Sequence, residues 1–137
     1  MELKDKIIVV TGAASGIGRA MCLRFAEEGA KHIACVDRDI AGAEITAKMM
    51  GGTAYQVDVS VKDQITGMID AVEADAGPID LFCPNAGISV AGGVEVEDDA
   101  WQKIWEINVM SHVWAARHLV PLMAARGGGY LLNTASA

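Results

Sequence analysis

The stretch TGAASGIG, residues 11–18, has the residue types to hold a phosphorylated ligand. Gly12, Gly16 and Gly18 stand in a G-x-x-x-G-x-G spacing, which lets a chain turn sharply and bring its backbone close to a pyrophosphate. A helix starting there adds unpaired N–H groups and the positive end of its dipole. The spacing is neither G-x-G-x-x-G nor that of a P-loop, whose lysine is missing. By itself such a turn is equally a tight strand-to-helix connection. Asp37 follows roughly 20 residues later, where an acid binds the adenine ribose hydroxyls. Alone, an aspartate at a strand tip is as readily a turn former or a helix cap. Turn and acid together predict a bound nicotinamide dinucleotide. A carboxylate at Asp37 accepts ribose hydroxyls and repels a 2′-phosphate, which favours NAD over NADP. Arg38 is the counter-signal, because it could reach a phosphate; it could also lie along the adenine face. Near the other end, Asn133, Thr134 and Ser136 follow the apolar run at 130–132. Hydroxyls delivered at the carboxyl end of a buried strand are how an α/β sheet builds an active site.

Elements to position these residues can be traced along the chain. Residues 7–10 are a continuous β-branched run, as in a strand covered on both faces. A helix over 17–28 carries Ile17, Met21 and Phe25 on one face and ends at Gly29. Strands follow at 32–36 and 54–57, with Asp37 and Asp58 at their tips and a helix over 41–50 between them. Ser60 is placed to cap a third helix with Asp63 in its first turn, and Gly77-Pro78 breaks it. A fourth strand at 79–83 leads into PNAGIS; a long helix over 99–126 leads to a fifth strand at 130–133. Strict βα alternation predicts parallel pairing, right-handed crossovers and a doubly wound α/β sheet with helices on both faces.

A formal charge of −7 and a pI near 4.8 argue against nucleic acid and anionic membrane as partners. No apolar run reaches the roughly 18 residues of a membrane span, and the amino terminus does not read as a signal peptide. Cys22, Cys35 and Cys83 lack metal-ligand spacing and read as buried reduced thiols of a cytoplasmic protein.

Five motifs in order, T-G-x-x-x-G-I-G, Asp58-Val59, Asn85-Ala86-Gly87, Asn108 within INV, and N-T-A-S, make the whole chain resemble the short-chain dehydrogenase/reductase family. The resemblance implies a Rossmann-type sheet of order 3-2-1-4-5. It implies that Thr11, Gly12, Ser15, Gly16, Ile17 and Gly18 cradle the adenosine ribose and pyrophosphate, and that Asp58 and Val59 bracket the adenine. Asn85, Ala86 and Gly87 would pass beneath the ribose on the nicotinamide side, although the sequence has PNAG where the family often has NNAG. Asn108 would bend the long helix and hold a water leading to an active-site lysine; from the residues alone, one amide in a mostly apolar stretch is unusual, with a core amide satisfied by a neighbouring carbonyl as the other reading. The family's subunit pairing, with Trp101, Trp105 and Trp114 on a helix apolar around much of its girth, leads to the expectation of a homodimer or homotetramer.

Ser136 aligns with the serine that hydrogen-bonds the substrate's carbonyl or hydroxyl. The family's Tyr-x-x-x-Lys is absent from the 137 residues: Val59 follows Tyr55 at that spacing and Thr134 follows Tyr130. The expectation is therefore the N-terminal portion of a domain of about 250 residues, cut through its active site. The expected activity is interconversion of a secondary alcohol and a ketone with NAD, leaning towards oxidation. The small apolar stretch at 89–94 admits an apolar substrate. The alternative is a truncated NAD(H)-binding sensor or structural partner without catalysis.

Overall fold

A computed structural model describes residues 1–136. Five parallel strands form one sheet in the order β3-β2-β1-β4-β5. They are β1 (Ile7–Thr11), β2 (His32–Asp37), β3 (Thr53–Gln56), β4 (Leu81–Cys83) and β5 (Tyr130–Leu131). β1 lies at the centre, buried throughout, which explains its uninterrupted β-branched sequence.

The pleat sorts the strand residues into two layers. Ile8, Val10, Ile33, Cys35, Leu81 and Cys83 face α1 (Gly16–Glu27) and α2 (Ile40–Met50). Ile7, Val9, Ala34, Val36 and Phe82 face α3 (Lys62–Asp75) and α5 (Ser111–Ala125). Helices therefore cover both faces. Gly51 takes the left-handed conformation that closes α2, and Gly29, at φ +82°, does the same just beyond α1.

Several local expectations give way to tertiary contacts. The inward row of α1 is Gly18, Cys22 and Phe25, while Ile17 is 65% exposed. The helix is rotated because an ideal Cβ on Gly18 would stand 2.0 Å from the Gly12 carbonyl oxygen, so this face must approach most closely. Ser60 does not cap α3. Its hydroxyl donates to Asp58 Oδ1 at 2.6 Å, the carboxylate being the stronger acceptor, and Val61 takes the cap position. β3 ends one residue earlier than expected. β5 is short as a regular strand, but Leu132 N–H still donates to Phe82 and Thr134 N–H to Pro84. The long helix is three pieces: α4 (Asp98–Trp105), a π-helical turn (Glu106–Met110) and α5, which runs on past Pro121.

Candidate active site

A cleft of about 630 Å³ opens at the carboxyl ends of the strands, where the order reverses between β1 and β4. Every residue expected from sequence to hold the dinucleotide lines it, Thr11 excepted. Thr11 lies beneath the floor, 4% exposed, as the fastening between two loops. Its hydroxyl accepts the N–H groups of Asn85 (2.9 Å) and Ala86 (3.0 Å), and the Asn85 amide donates to the Thr11 carbonyl (3.1 Å). Asn85 Oδ1 accepts from the Thr134 hydroxyl at 3.0 Å, so the segment after β5 joins the same network. The loops meet tightly: a Cβ on Gly12, at φ +72°, would lie 3.0 Å from Ala86 Cα.

Asp37 stands at the tip of β2. One carboxylate oxygen accepts the Ala14 N–H and the other the Asp39 N–H, both at 3.0 Å. A carboxylate has about four acceptor sites, so each oxygen keeps capacity towards the cleft. Asp58 Oδ1 accepts both the hydroxyl and the N–H of Ser60. These bonds hold its carboxyl below the ordinary aspartate value; burial opposes them, and the Arg38 and Lys103 charges add to them.

Asn108 lies outside this cleft, on a smaller one of about 320 Å³ shared with His112 and Asn133. Its amide is paired to the backbone of Ile88, in the loop that follows β4. Ser136 is exposed and borders neither cavity. The structure therefore brings the expected dinucleotide residues together; Asn108 abuts them, its Oδ1 3.3 Å from where a Cβ on Gly87 would stand, while Ser136 lines neither cavity. Lys103, Ile107, Ile88 and Val57 line the main cleft without having been singled out in the sequence. The available signal was slight: Lys103 and Ile107 share a helix with Asn108, and Ile88 follows the N-A-G run.

A parallel sheet in this order, with its cleft at the reversal, defines the class of doubly wound α/β domains that take ligands at the switch point. The chain belongs to the short-chain dehydrogenase family, whose model matches residues 6–137. It is 33% identical to 3beta-hydroxysteroid dehydrogenase 2 of Eggerthella lenta, over 98% of this chain and 54% of that protein. Among solved structures, the 3-ketoacyl-(acyl-carrier-protein) reductase of Brucella melitensis complexed with NADH superposes with a TM-score of 0.91 at 34% identity, over 98% of this chain and 58% of that one. The L-sorbose reductase of Gluconobacter frateurii complexed with NADPH and L-sorbose gives 0.87 at 36% identity, over 99% and 55%. The chain spans about half the length of the curated relatives it matches.

Proposed function

We propose that these residues form the cofactor-binding portion of an NAD-dependent oxidoreductase that interconverts a secondary alcohol and a ketone. The observation that carries this reading is the Asp37 carboxylate beside the glycine turn, on the wall of one continuous cleft. The turn fits a pyrophosphate. Gly16 has φ +52° and, among the described residues, nothing within 4 Å of an added Cβ, so the backbone there is open to a ligand. The N-terminus of α1 has no side-chain cap to occupy its N–H groups.

Bound in the cleft, the nicotinamide dinucleotide supplies hydride transfer. Asp37 accepts the adenine ribose hydroxyls with its remaining lone pairs and disfavours a 2′-phosphate. Val59 and Asp58, the latter held in place by Ser60, bracket the adenine. Asn85, Ala86 and Gly87, fastened through Thr11, support the ribose on the nicotinamide side. Ser136 hydrogen-bonds the substrate oxygen. The family's proton-relaying Tyr-x-x-x-Lys does not occur within residues 1–137. The relatives named for hydroxysteroid and galactitol dehydrogenases support alcohol–ketone chemistry. Half-exposed Trp101 and Trp105 on α4 support a homodimer or homotetramer, and three reduced buried thiols are in keeping with a cytoplasmic setting.

Titration with NADH and NADPH, read by quenching of tryptophan emission, tests the reading. NADH is expected to bind more tightly, and Asp37→Ala to raise the NADPH:NADH affinity ratio. No binding of either, or a ratio unmoved by the substitution, rules the assignment out.

A further inference from the structure

The glycine turn does not hold its shape alone. Thr46, on α2 and fully buried, approaches it from behind. Arg19 Nε donates to Thr46 Oγ1 at 2.9 Å. A guanidinium cannot accept, so Thr46 is the acceptor there, and its one proton is free to go onward. That proton has two acceptors in reach, Ala13 O at 2.8 Å and Gly42 O at 3.2 Å, and the shorter contact favours Ala13. The relay thus has a fixed direction, from Arg19 through Thr46 to the Ala13 carbonyl. The same Arg19 also donates from its guanidinium to the Ala14 carbonyl.

Two successive peptide groups are pinned by these bonds. In the unit joining residues 13 and 14, the carbonyl is held by Thr46 and the N–H by Asp37. In the unit joining residues 14 and 15, the carbonyl is held by Arg19. Carbonyl and N–H point to opposite sides of a trans peptide. Fixing the Ala14 carbonyl inward therefore turns the Ser15 N–H outward, on the side where Ser15 lines the cleft. That N–H joins those at the uncapped start of α1, and successive outward N–H groups make an anion-binding concavity. α2 gets close enough only because position 42 is glycine: an ideal Cβ there would stand 2.7 Å from the Ala14 Cβ.

We propose that Thr46 is a positioning residue for the dinucleotide: through Arg19 and Ala13 it presets the turn so that its N–H groups meet the phosphates. This rests on the reading of the cleft as a dinucleotide site. Thr46 has no contact with that cleft, which is why residue spacing gives no hint of it.

The test is calorimetric titration with NADH, accompanied by thermal melting, on the unaltered protein, Thr46→Val and Thr46→Ser. Valine keeps the shape and removes the relay; serine keeps the hydroxyl. Thr46→Val is expected to bind NADH about tenfold more weakly, the scale of one charge-assisted hydrogen bond, with Thr46→Ser close to the unaltered protein. A folded Thr46→Val with undiminished affinity overturns the proposal, as does equal weakening in both variants. If Thr46→Val does not fold, Arg19→Lys, which keeps the charge but loses the fork whose two nitrogens meet Thr46 and Ala14, takes its place with the same expected loss, and undiminished affinity there is the overturning result. Failure of the unaltered protein to bind NADH overturns the reading of the cleft itself, and the purpose assigned to Thr46 with it.

Discussion

Asn108 and Ile88 pair like neighbouring strands, although one lies in a π-helical turn and the other in a loop. The Asn108 amide donates to the Ile88 carbonyl at 2.8 Å, and its Oδ1 accepts the Ile88 N–H at 2.9 Å. The turn at Glu106–Met110 widens the helix where this amide faces the loop after β4, and π-turns inside helices often mark functional positions. Asn108 is thus satisfied by a neighbouring segment and sits where the helix departs from regularity.

Asn108→Ala strips both partners from the half-buried Ile88 peptide. A loss of about 2 kcal/mol is expected, read as a lower urea midpoint at unchanged slope. Asn108→Asp keeps the acceptor and loses the donor, so it should fall between. Midpoints equal to the unaltered protein in both variants contradict this pairing as a source of stability.

Thr11→Val removes the one hydroxyl that accepts from both Asn85 and Ala86. Orphaning a buried amide costs about 1–3 kcal/mol, and for the half-buried Asn85 and Ala86 the lower end is expected. The variant should melt at lower temperature and show faster amide exchange at residues 85 and 86 than elsewhere in the sheet. Uniform exchange would mean that Thr11 does not fasten the two loops.

Glycine substitutions should separate folding from binding. Gly18→Ala drives a methyl into the Gly12 carbonyl and is expected to unfold the turn. Gly16→Ala meets no atom of the described residues within 4 Å and pays only for left-handed backbone, about 1–2 kcal/mol. It should fold with near-native circular dichroism and bind NADH poorly, because its methyl lies on the cleft wall. Tight NADH binding by Gly16→Ala would place the phosphates elsewhere.

Arg126 and Glu73 tie the end of α5 to α3. Both guanidinium arms reach the carboxylate, at 2.8 and 2.7 Å, and the Ile79 N–H donates to it at 2.8 Å. Burial alone pushes Glu73 up, but these hydrogen bonds and the Arg126 charge outweigh it and hold the group below its ordinary value. A lowered folded-state pKa stabilises above the unfolded value of about 4.3, and the contribution is lost as pH falls through the folded value. Arg126→Gln should be less stable at pH 7 and lose less on acidification below about pH 5. Parallel stability–pH curves for the two proteins would contradict this.

What could be read from the sequence was whatever adjacent residues encode. The run at 7–10 announced a central strand. Alternating strand and helix patterns announced parallel pairing, and the glycine turn with Asp37 announced one wall of the cleft. What could not be read depends on contacts between distant segments. The rotation of α1 is set by Gly18 meeting Gly12 across the turn, so Ile17, apolar and in phase with Phe25, faces out. The π-turn answers to Ile88, 20 residues away. Lys103 reads as an ordinary helix-surface charge until α4 is folded over the cleft.

The three cysteines carry one more consequence. Cys22, Cys35 and Cys83 are all without exposed surface, in the layer between the sheet and α1 and α2, with Cys22 and Cys35 sulfurs 3.8 Å apart and burial pushing Cys83 up to about 12. Such thiols are silent towards alkylating reagents until that layer parts. The same layer carries the glycine turn on its upper edge. The protein thus contains its own clock for the opening of that half, and a ligand that locks the turn should be seen to slow it.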